Sequence, residues 1–315
     1  MNALHIISTG KYLPDKVVTN EDLSKIVETN NEWIVSRTGI EERRISEDKN
    51  CGEMAAEACK QALANGNIDP NDLCCLILAT FSPDTFSPAV SCAVHDMLDL
   101  PEHVISFDVN GACPGFLVGL LVARGILLQN PGKKALVVAS EWSSDFTDWT
   151  DRGTCVLFGD GAGATVVDLS SDAPIYFTGG TRKGIEAIQV KTSPRAGADH
   201  HVIRMDGQAV FKFAVKAMRD AINDLLDQSG LTLDDIDHFI CHQANLRIIK
   251  YVYEKMGIDP SKFFLNVQKY GNTSAASSAI ATAEANEQGI LKRGDKIIFV
   301  CFGAGLVYEG MLLEW

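Results

Sequence analysis

A cysteine followed by proline and glycine stands in the segment Asp108-Val-Asn-Gly-Ala-Cys-Pro-Gly-Phe. The apolar run before Cys113 reads as a strand and the run after it as a helix, so the thiol falls on the turn between them. Pro114 suits a first helical turn, where a missing N–H costs nothing. A thiol at a helix N-terminus meets the positive end of the dipole, which favours the thiolate. That form attacks a carbonyl and carries an acyl group as a thioester. An isolated cysteine is more often a small buried hydrophobe, but this setting makes Cys113 the candidate nucleophile. Pro114 also narrows the chemistry. The oxyanion donor of a hydrolase elbow is the N–H after the nucleophile, and proline has none, so the N–H of Cys113 must serve with one from another loop.

Two other segments offer partners. Cys241-His-Gln-Ala-Asn-Leu-Arg ends a strand and opens a helix, which places His242 and Asn245 at a strand rim. Gly271-Asn-Thr-Ser-Ala-Ala-Ser places Asn272 on a glycine turn. Taken singly, such a His is commonly structural and such an Asn a turn residue. Taken with Cys113, they make one site if the chain brings them together.

The elements that must do so alternate in the α/β manner. Strands are expected at Leu73–Ala79, Val104–Val109, Ala135–Ala139, Ala164–Val167, His238–His242 and Lys296–Cys301. Helices are expected at Asn20–Glu28, Gly52–Asn65, Pro88–Leu98, Pro114–Leu128, Gln208–Ser229, Leu246–Met256 and Ser274–Glu287, with longer irregular stretches at Asn30–Asn50, Trp142–Arg152 and Lys183–Arg204. The order strand, helix, strand, glycine turn, helix, strand occurs twice. Leu73 precedes Gly111 by 38 residues and Ile236 precedes Gly271 by 35, with a second-half strand expected at Phe264–Lys269. Duplication implies two βαβ-rich halves, residues 1–168 with the cysteine and 169–315 with the histidine and asparagine, whose equivalent strand-end loops build one site.

Composition narrows the class. A net charge of −13 argues against nucleic acid and against a general attraction to anionic membrane. MNALHIISTGKYLP lacks a basic start and a long apolar stretch, so no export signal is expected, and Arg124 breaks the longest apolar run. The nine cysteines include no CxxC pair, which suggests neither zinc nor a disulfide framework but reduced thiols in a cytoplasmic setting.

Glu32-Trp-Ile-Val-Ser-Arg-Thr-Gly-Ile, Asp108–Phe116, Arg152-Gly-Thr with Phe158-Gly-Asp-Gly-Ala-Gly, His242–Arg247, Gly271–Ser277 and Phe302-Gly-Ala-Gly follow one another along the chain. As an ordered set they resemble the ketoacyl-acyl-carrier-protein synthase III family of thiolase-fold condensing enzymes. That resemblance implies a layered α/β/α/β/α core and a Cys113–His242–Asn272 triad. It also implies decarboxylative condensation of an acyl-coenzyme A, typically acetyl, with malonyl-acyl carrier protein, which would begin fatty acid synthesis. Coenzyme A is then a substrate and no separate cofactor is expected. Cys113 and Ala304 N–H groups would form the oxyanion hole. Trp33 and Arg152 would sandwich the adenine, Arg37 would face the phosphates, and Gly207, Phe211, Ala244 and Asn245 would line the pantetheine tunnel. Phe86 would close the acyl pocket across a homodimer interface. The glycine run at Phe158–Gly163 lacks a GxGxxG pattern and reads as tight packing between the halves. Lys212, Lys216, Arg247 and Lys250 form a basic face on which an acidic carrier protein could dock despite the global charge.

Three features depart from the family pattern: Pro114 in place of a small residue, Ala304 within a loop often written as three glycines, and Tyr308-Glu309 where Trp-Gly is usual. An alanine forced to positive φ at 304 would be strained. The stretch Lys183–Arg204, bearing His200 and His201, is shorter than the family's lid-bordering insertion. A specialised acyltransferase or secondary-metabolite synthase with the same triad, a cysteine thioesterase and a non-catalytic carrier-binding subunit are the alternatives.

Overall fold

Seven consecutive apolar residues, Leu73–Ala79, form a strand buried along its whole length. Such a strand needs neighbours on both edges and cover on both faces. In the computed structural model, which describes residues 3–191 and 201–315, it is an interior strand of the first of two large sheets, beside which stand two two-stranded ones. His200 lies outside the described residues.

The first half runs β1 (Ala3–Tyr12), β2 (Val17–Thr19), α1 (Asn20–Leu23), α2 (Asn31–Thr38), β3 (Glu42–Arg44), α3 (Cys51–Gly66) and β4 (Leu73–Ala79). It continues with α4 (Val90–Met97), β5 (Ile105–Val109), α5 (Gly115–Leu127), β6 (Lys134–Glu141) and β7 (Gly161–Ser171). After it come β8 (Tyr176–Thr181), β9 (Ile188–Val190), β10 (Ile203–Met205), α6 (Gly207–Ser229), β11 (His238–Cys241) and α7 (Leu246–Met256). The chain ends with α8 (Val267–Tyr270), α9 (Ala276–Glu287), β12 (Lys296–Gly303) and β13 (Val307–Glu314).

The first sheet has the order β1-β7-β6-β4-β5 and the second β11-β12-β13-β8. In each, a parallel pair (β4–β6, β11–β12) is followed by two antiparallel pairings, so β1, β4, β6 and β7 correspond to β8, β11, β12 and β13. The first sheet's fifth strand, β5, has no full counterpart. The expected strand at Phe264–Lys269 is a single bridge from Phe263 to Phe239 followed by the short α8. Gln243 explains the break: its Oε1 accepts the N–H groups of Asn266 and Val267, which turns the backbone away from the sheet.

Helices α5 and α9 lie between the sheets in one core, α3 and α4 cover the outer face of the first, and α6 and α7 cover that of the second. The result is the expected α/β/α/β/α layering. Residues 276–285 of α9 are all buried, which explains its Ala/Ser composition: a helix enclosed on every side has no polar stripe, and small side chains allow close approach. Gly163 of β7 shows how close, since a Cβ there would sit 2.6 Å from the Ala279 backbone. The Phe158–Gly163 run therefore does pack tightly between the halves. Among the described residues no helix is long and apolar enough to cross a membrane.

Several boundaries shift for local reasons. The helix expected from Asn20 ends at Leu23. Asn30–Asn50, read as irregular, holds α2, capped by the Asn30 side chain on Trp33 N–H and closed by Gly39 at φ 77°. Helix α4 starts at Val90 because the Asp108 carboxylate accepts the Val90 and Ser91 N–H groups.

Candidate active site

Cys113 occupies the turn between β5 and α5, where Ala112 takes φ +50° and α5 begins at Gly115, two residues on. The residue is 7% exposed. Burial pushes its thiol up to about 11, and the nearby Glu141 charge adds to this; the Ser274 hydroxyl and the Cys113 and Ala304 N–H groups oppose it. The expected dipole-driven thiolate is thus corrected: desolvation outweighs the helix end and favours the thiol form of Cys113. Its alkylation by iodoacetamide should therefore climb about tenfold per pH unit from pH 7 to 9, without a plateau below about pH 10. A plateau near neutrality, read by stopped-time mass spectrometry, would contradict this.

His242 follows β11 and extends its ladder, its N–H donating to Val300 O at 2.9 Å. It is 1% exposed, and burial pulls its pKa down to about 3, so the ring is neutral. The Ser277 hydroxyl lies 2.6 Å from Nδ1 and accepts the Gln243 N–H. With the hydroxyl proton assigned to Nδ1, the ring proton stands on Nε2. The ring meets Phe302 edge-on at 5.2 Å.

Asn272 is fixed by its backbone, donating to Leu157 O at 2.8 Å and accepting from Gly159 N–H at 3.1 Å. Gly271 precedes it at φ +64°, with its α-carbon so near Leu157 O that a Cβ would approach to 2.7 Å. The Asn272 Oδ1 accepts the Ser274 N–H at 2.9 Å, so the amide NH2 is the end left to face a ligand. Ser274, at φ +48°, donates to the Cys113 sulfur at 3.5 Å. Ala112 and Ser274 are thus left-handed non-glycine residues just ahead of α5 and α9, the equivalent helices of the two halves. Ala304, which a positive φ would have strained, is not among such residues; Gly305 takes φ +140° instead.

Two cavities meet at Cys113. The wider, about 450 Å³, is bordered by Thr80, Phe81, Phe86, Ser274 and Ala304. The narrower, about 100 Å³, is bordered by His242 and Asn272 and by Gly207, Phe211, Ala244 and Asn245, the four residues expected along a tunnel. At its rim the Asn245 amide donates to Arg37 O at 3.1 Å, which ties α7 to α2. On α2, Trp33 has the Arg37 and Arg152 guanidinium groups 4.8 and 4.7 Å from its ring centroid. Arg152 also donates to Glu28 O, so the two side chains expected to sandwich an adenine rest against each other. Phe86 is 77% exposed at the wide cavity. Lys212, Lys216, Arg247 and Lys250 are exposed on α6 and α7; Lys216 pairs with Asp220 at 2.7 Å.

Ser274, Ser277 and the β9–β10 residues Ile188 and Ile203 also belong to the site and went unread in the sequence. The two serines lie inside a motif quoted for other reasons. The two isoleucines fall in a stretch with no periodicity long enough to mark a strand.

Comparison with known proteins places the whole chain in a family. Residues 107–178 match the model for "3-Oxoacyl-[acyl-carrier-protein (ACP)] synthase III" and residues 226–315 the model for its C-terminal part. The chain is 44% identical over 324 residues to a beta-ketoacyl-[acyl-carrier-protein] synthase III of Clostridium acetobutylicum, covering 100% of this chain and 99% of the relative. The solved 3-oxoacyl-[acyl-carrier-protein] synthase III of Aquifex aeolicus superposes with TM-score 0.94 at 41% identity, over 99% of this chain and all of that one. The priming beta-ketosynthase of the R1128 polyketide pathway superposes with TM-score 0.92 at 32% identity, covering 99% and 96%. The chain has the thiolase fold and belongs to the 3-oxoacyl-[acyl-carrier-protein] synthase III family of condensing acyltransferases.

Proposed function

We propose that this enzyme transfers an acyl group, with acetyl the expected one, from coenzyme A to Cys113 and condenses it with malonyl-acyl carrier protein. The observation that carries the reading is the meeting of two cavities at one thiol, a narrow one bordered by His242 and Asn272 and a wider one reaching Phe81 and Phe86. A pantetheine arm suits the first and an acyl chain the second. Attack by the Cys113 sulfur forms the new thioester and breaks the acyl–sulfur bond to coenzyme A, the thiol proton passing to the departing coenzyme A sulfur, with the developing oxyanion facing the Cys113 and Ala304 N–H groups. In the second stage the malonyl group loses carbon dioxide, and the electron pair left behind becomes an enolate on the thioester oxygen. Neutral His242, through Nε2–H, and the Asn272 NH2 donate to that oxygen without titrating near neutrality. The carbanion then attacks the acyl-cysteine, and the sulfur leaves as the 3-oxoacyl product forms.

Trp33, Arg37 and Arg152 would hold the adenosine diphosphate end of coenzyme A, with Arg152 moving off the Trp33 ring as adenine enters. A homodimer fits the exposed edge strand β5, whose Ile105 is 63% exposed, and the protruding Phe86. The cytoplasm is the proposed compartment. The carrier protein would dock on Lys212, Lys216, Arg247 and Lys250. Charge reversal at Lys212 and Arg247 together should raise KM for malonyl-carrier at least about tenfold and leave the acyl-coenzyme A stage unchanged; unchanged carrier kinetics would sink the docking site.

The reaction is tested by product analysis after adding acetyl-coenzyme A and malonyl-carrier protein. Carbon dioxide with 3-oxobutyryl-carrier is expected, whereas free acetate alone would make the protein a thioesterase. Likeness to a priming ketosynthase favours a second reading with the same steps and another acyl donor, which a screen of acyl-coenzyme A donors separates.

A further inference from the structure

Glu141 ends β6 with a side chain fully shielded from solvent, near enough to Cys113 for its charge to act on that thiol. Four donors hold it, none of them a cation. The Oε2 atom accepts the Thr80 hydroxyl at 3.0 Å, the Phe81 N–H at 3.2 Å and the Ser82 hydroxyl at 2.6 Å. The Oε1 atom accepts the Ala275 N–H at 3.3 Å. The first three donors belong to the turn after β4, where Thr80 and Phe81 border the wide cavity. The fourth follows Ser274, whose hydroxyl rests on the Cys113 sulfur. Two of the donors are backbone N–H groups, at opposite oxygens, and neither can turn round to accept. Only a group with an acceptor at both ends satisfies them; a carboxylate does, and an amide presents its NH2 to one of them.

We propose that Glu141 is a positioning residue of the condensing site: one carboxylate oxygen fixes the turn beside the acyl cavity and the other fixes the turn that carries Asn272 and Ser274, so both close on Cys113 in one register. This rests on the reading of Cys113 as the acyl carrier. The carboxylate has a second effect. The titratable groups that face it are the Cys51 thiol from α3 and the Cys113 thiol, and its charge raises both. Burial in turn lifts the Glu141 carboxyl to about 7, so it is mostly ionised at pH 8. Removing that charge must ease ionisation of Cys113, which a merely structural contact would not do.

The test measures iodoacetamide alkylation of Cys113 against pH, together with condensation kinetics. In Glu141→Gln the alkylation profile is expected to move about half to one unit to lower pH, and kcat to fall about tenfold or more with KM for acyl-coenzyme A within about twofold. Glu141→Asp keeps the charge but is too short to reach both turns, so the profile should stay while kcat falls. Ser82→Ala removes the shortest donor and should move the profile in the same direction as Glu141→Gln by a smaller amount, which keeps the test open if Glu141→Gln does not fold. An unchanged profile in Glu141→Gln, or in Ser82→Ala when that is the folded variant, overturns the proposal whatever kcat does. An unchanged kcat overturns it too. Alkylation needs no acyl donor, so failure of the condensation reading would show separately, as absence of product with an intact profile shift.

Discussion

Asn272→Asp should leave the enzyme able to load its cysteine yet slow condensation by about two to three orders of magnitude, the usual cost of one lost oxyanion donor, roughly 3–4 kcal/mol. The substitution is chosen for what it keeps. An aspartate oxygen still accepts the Ser274 N–H at 2.9 Å, so the turn beside Cys113 retains its lock. What disappears is the NH2, replaced by an acceptor that repels an enolate oxygen. Acyl-cysteine formation, followed by mass spectrometry, should stay within about fivefold. Carbon dioxide release from malonyl-carrier should collapse. If decarboxylation holds within tenfold, Asn272 is not the enolate donor. His242→Ala should give the same split, because neutral Nε2–H is the partner donor.

Gly303→Ala should damage both stages. A Cβ at 303 would lie 2.8 Å from the Cys113 nitrogen, 2.9 Å from Pro114 Cδ and 3.0 Å from Cys113 Cβ. All three are backbone or rigid, so either β12 or the nucleophile must shift. The Cys113 and Ala304 N–H groups are the donors proposed for the acyl-transfer oxyanion, and a displacement on the order of 1 Å can cost a hundredfold. The expected loss in acylation rate is thus about a hundredfold, with the fold retained. Gly125→Ala is the control: Gly125 is an exposed position near the C-terminal end of α5 with nothing within 4 Å of its Cβ position, so activity should be unchanged and stability equal or up to about 1 kcal/mol higher. Comparable activity in the two variants would remove the role assigned to the 303–304 backbone.

Much of this arrangement was legible in the sequence because single residues imposed it. The Gly111–Gly115 turn placed Cys113 between strand and helix, and the duplication placed His242 at a strand end and Asn272 on the equivalent glycine turn, which here follows the short α8 rather than a strand. What sequence left hidden depended on burial or distant contacts. The helix-end argument predicted a thiolate, but in a site 7% exposed desolvation dominates. Helix α2 escaped notice because only Ile34 and Thr38 of its eight residues are buried, which gives no apolar stripe, although Asn30 and Gly39 mark its ends. The duplication suggested a counterpart of β5 and could not show that Gln243 diverts its backbone. Ser277 and Glu141 gain meaning only when α9 packs between the sheets, bringing one to the His242 ring and the other's partner, Ala275, beside Cys113.

The most direct test of the central claim is to expose the protein to acetyl-coenzyme A and digest it for mass spectrometry. The account predicts an acetyl adduct on Cys113 and on none of the other eight cysteines, lost when malonyl-carrier protein is added and replaced by condensed product. A protein that condenses acyl groups while Cys113 stays unmodified, or that does so after Cys113→Ala, would contradict it.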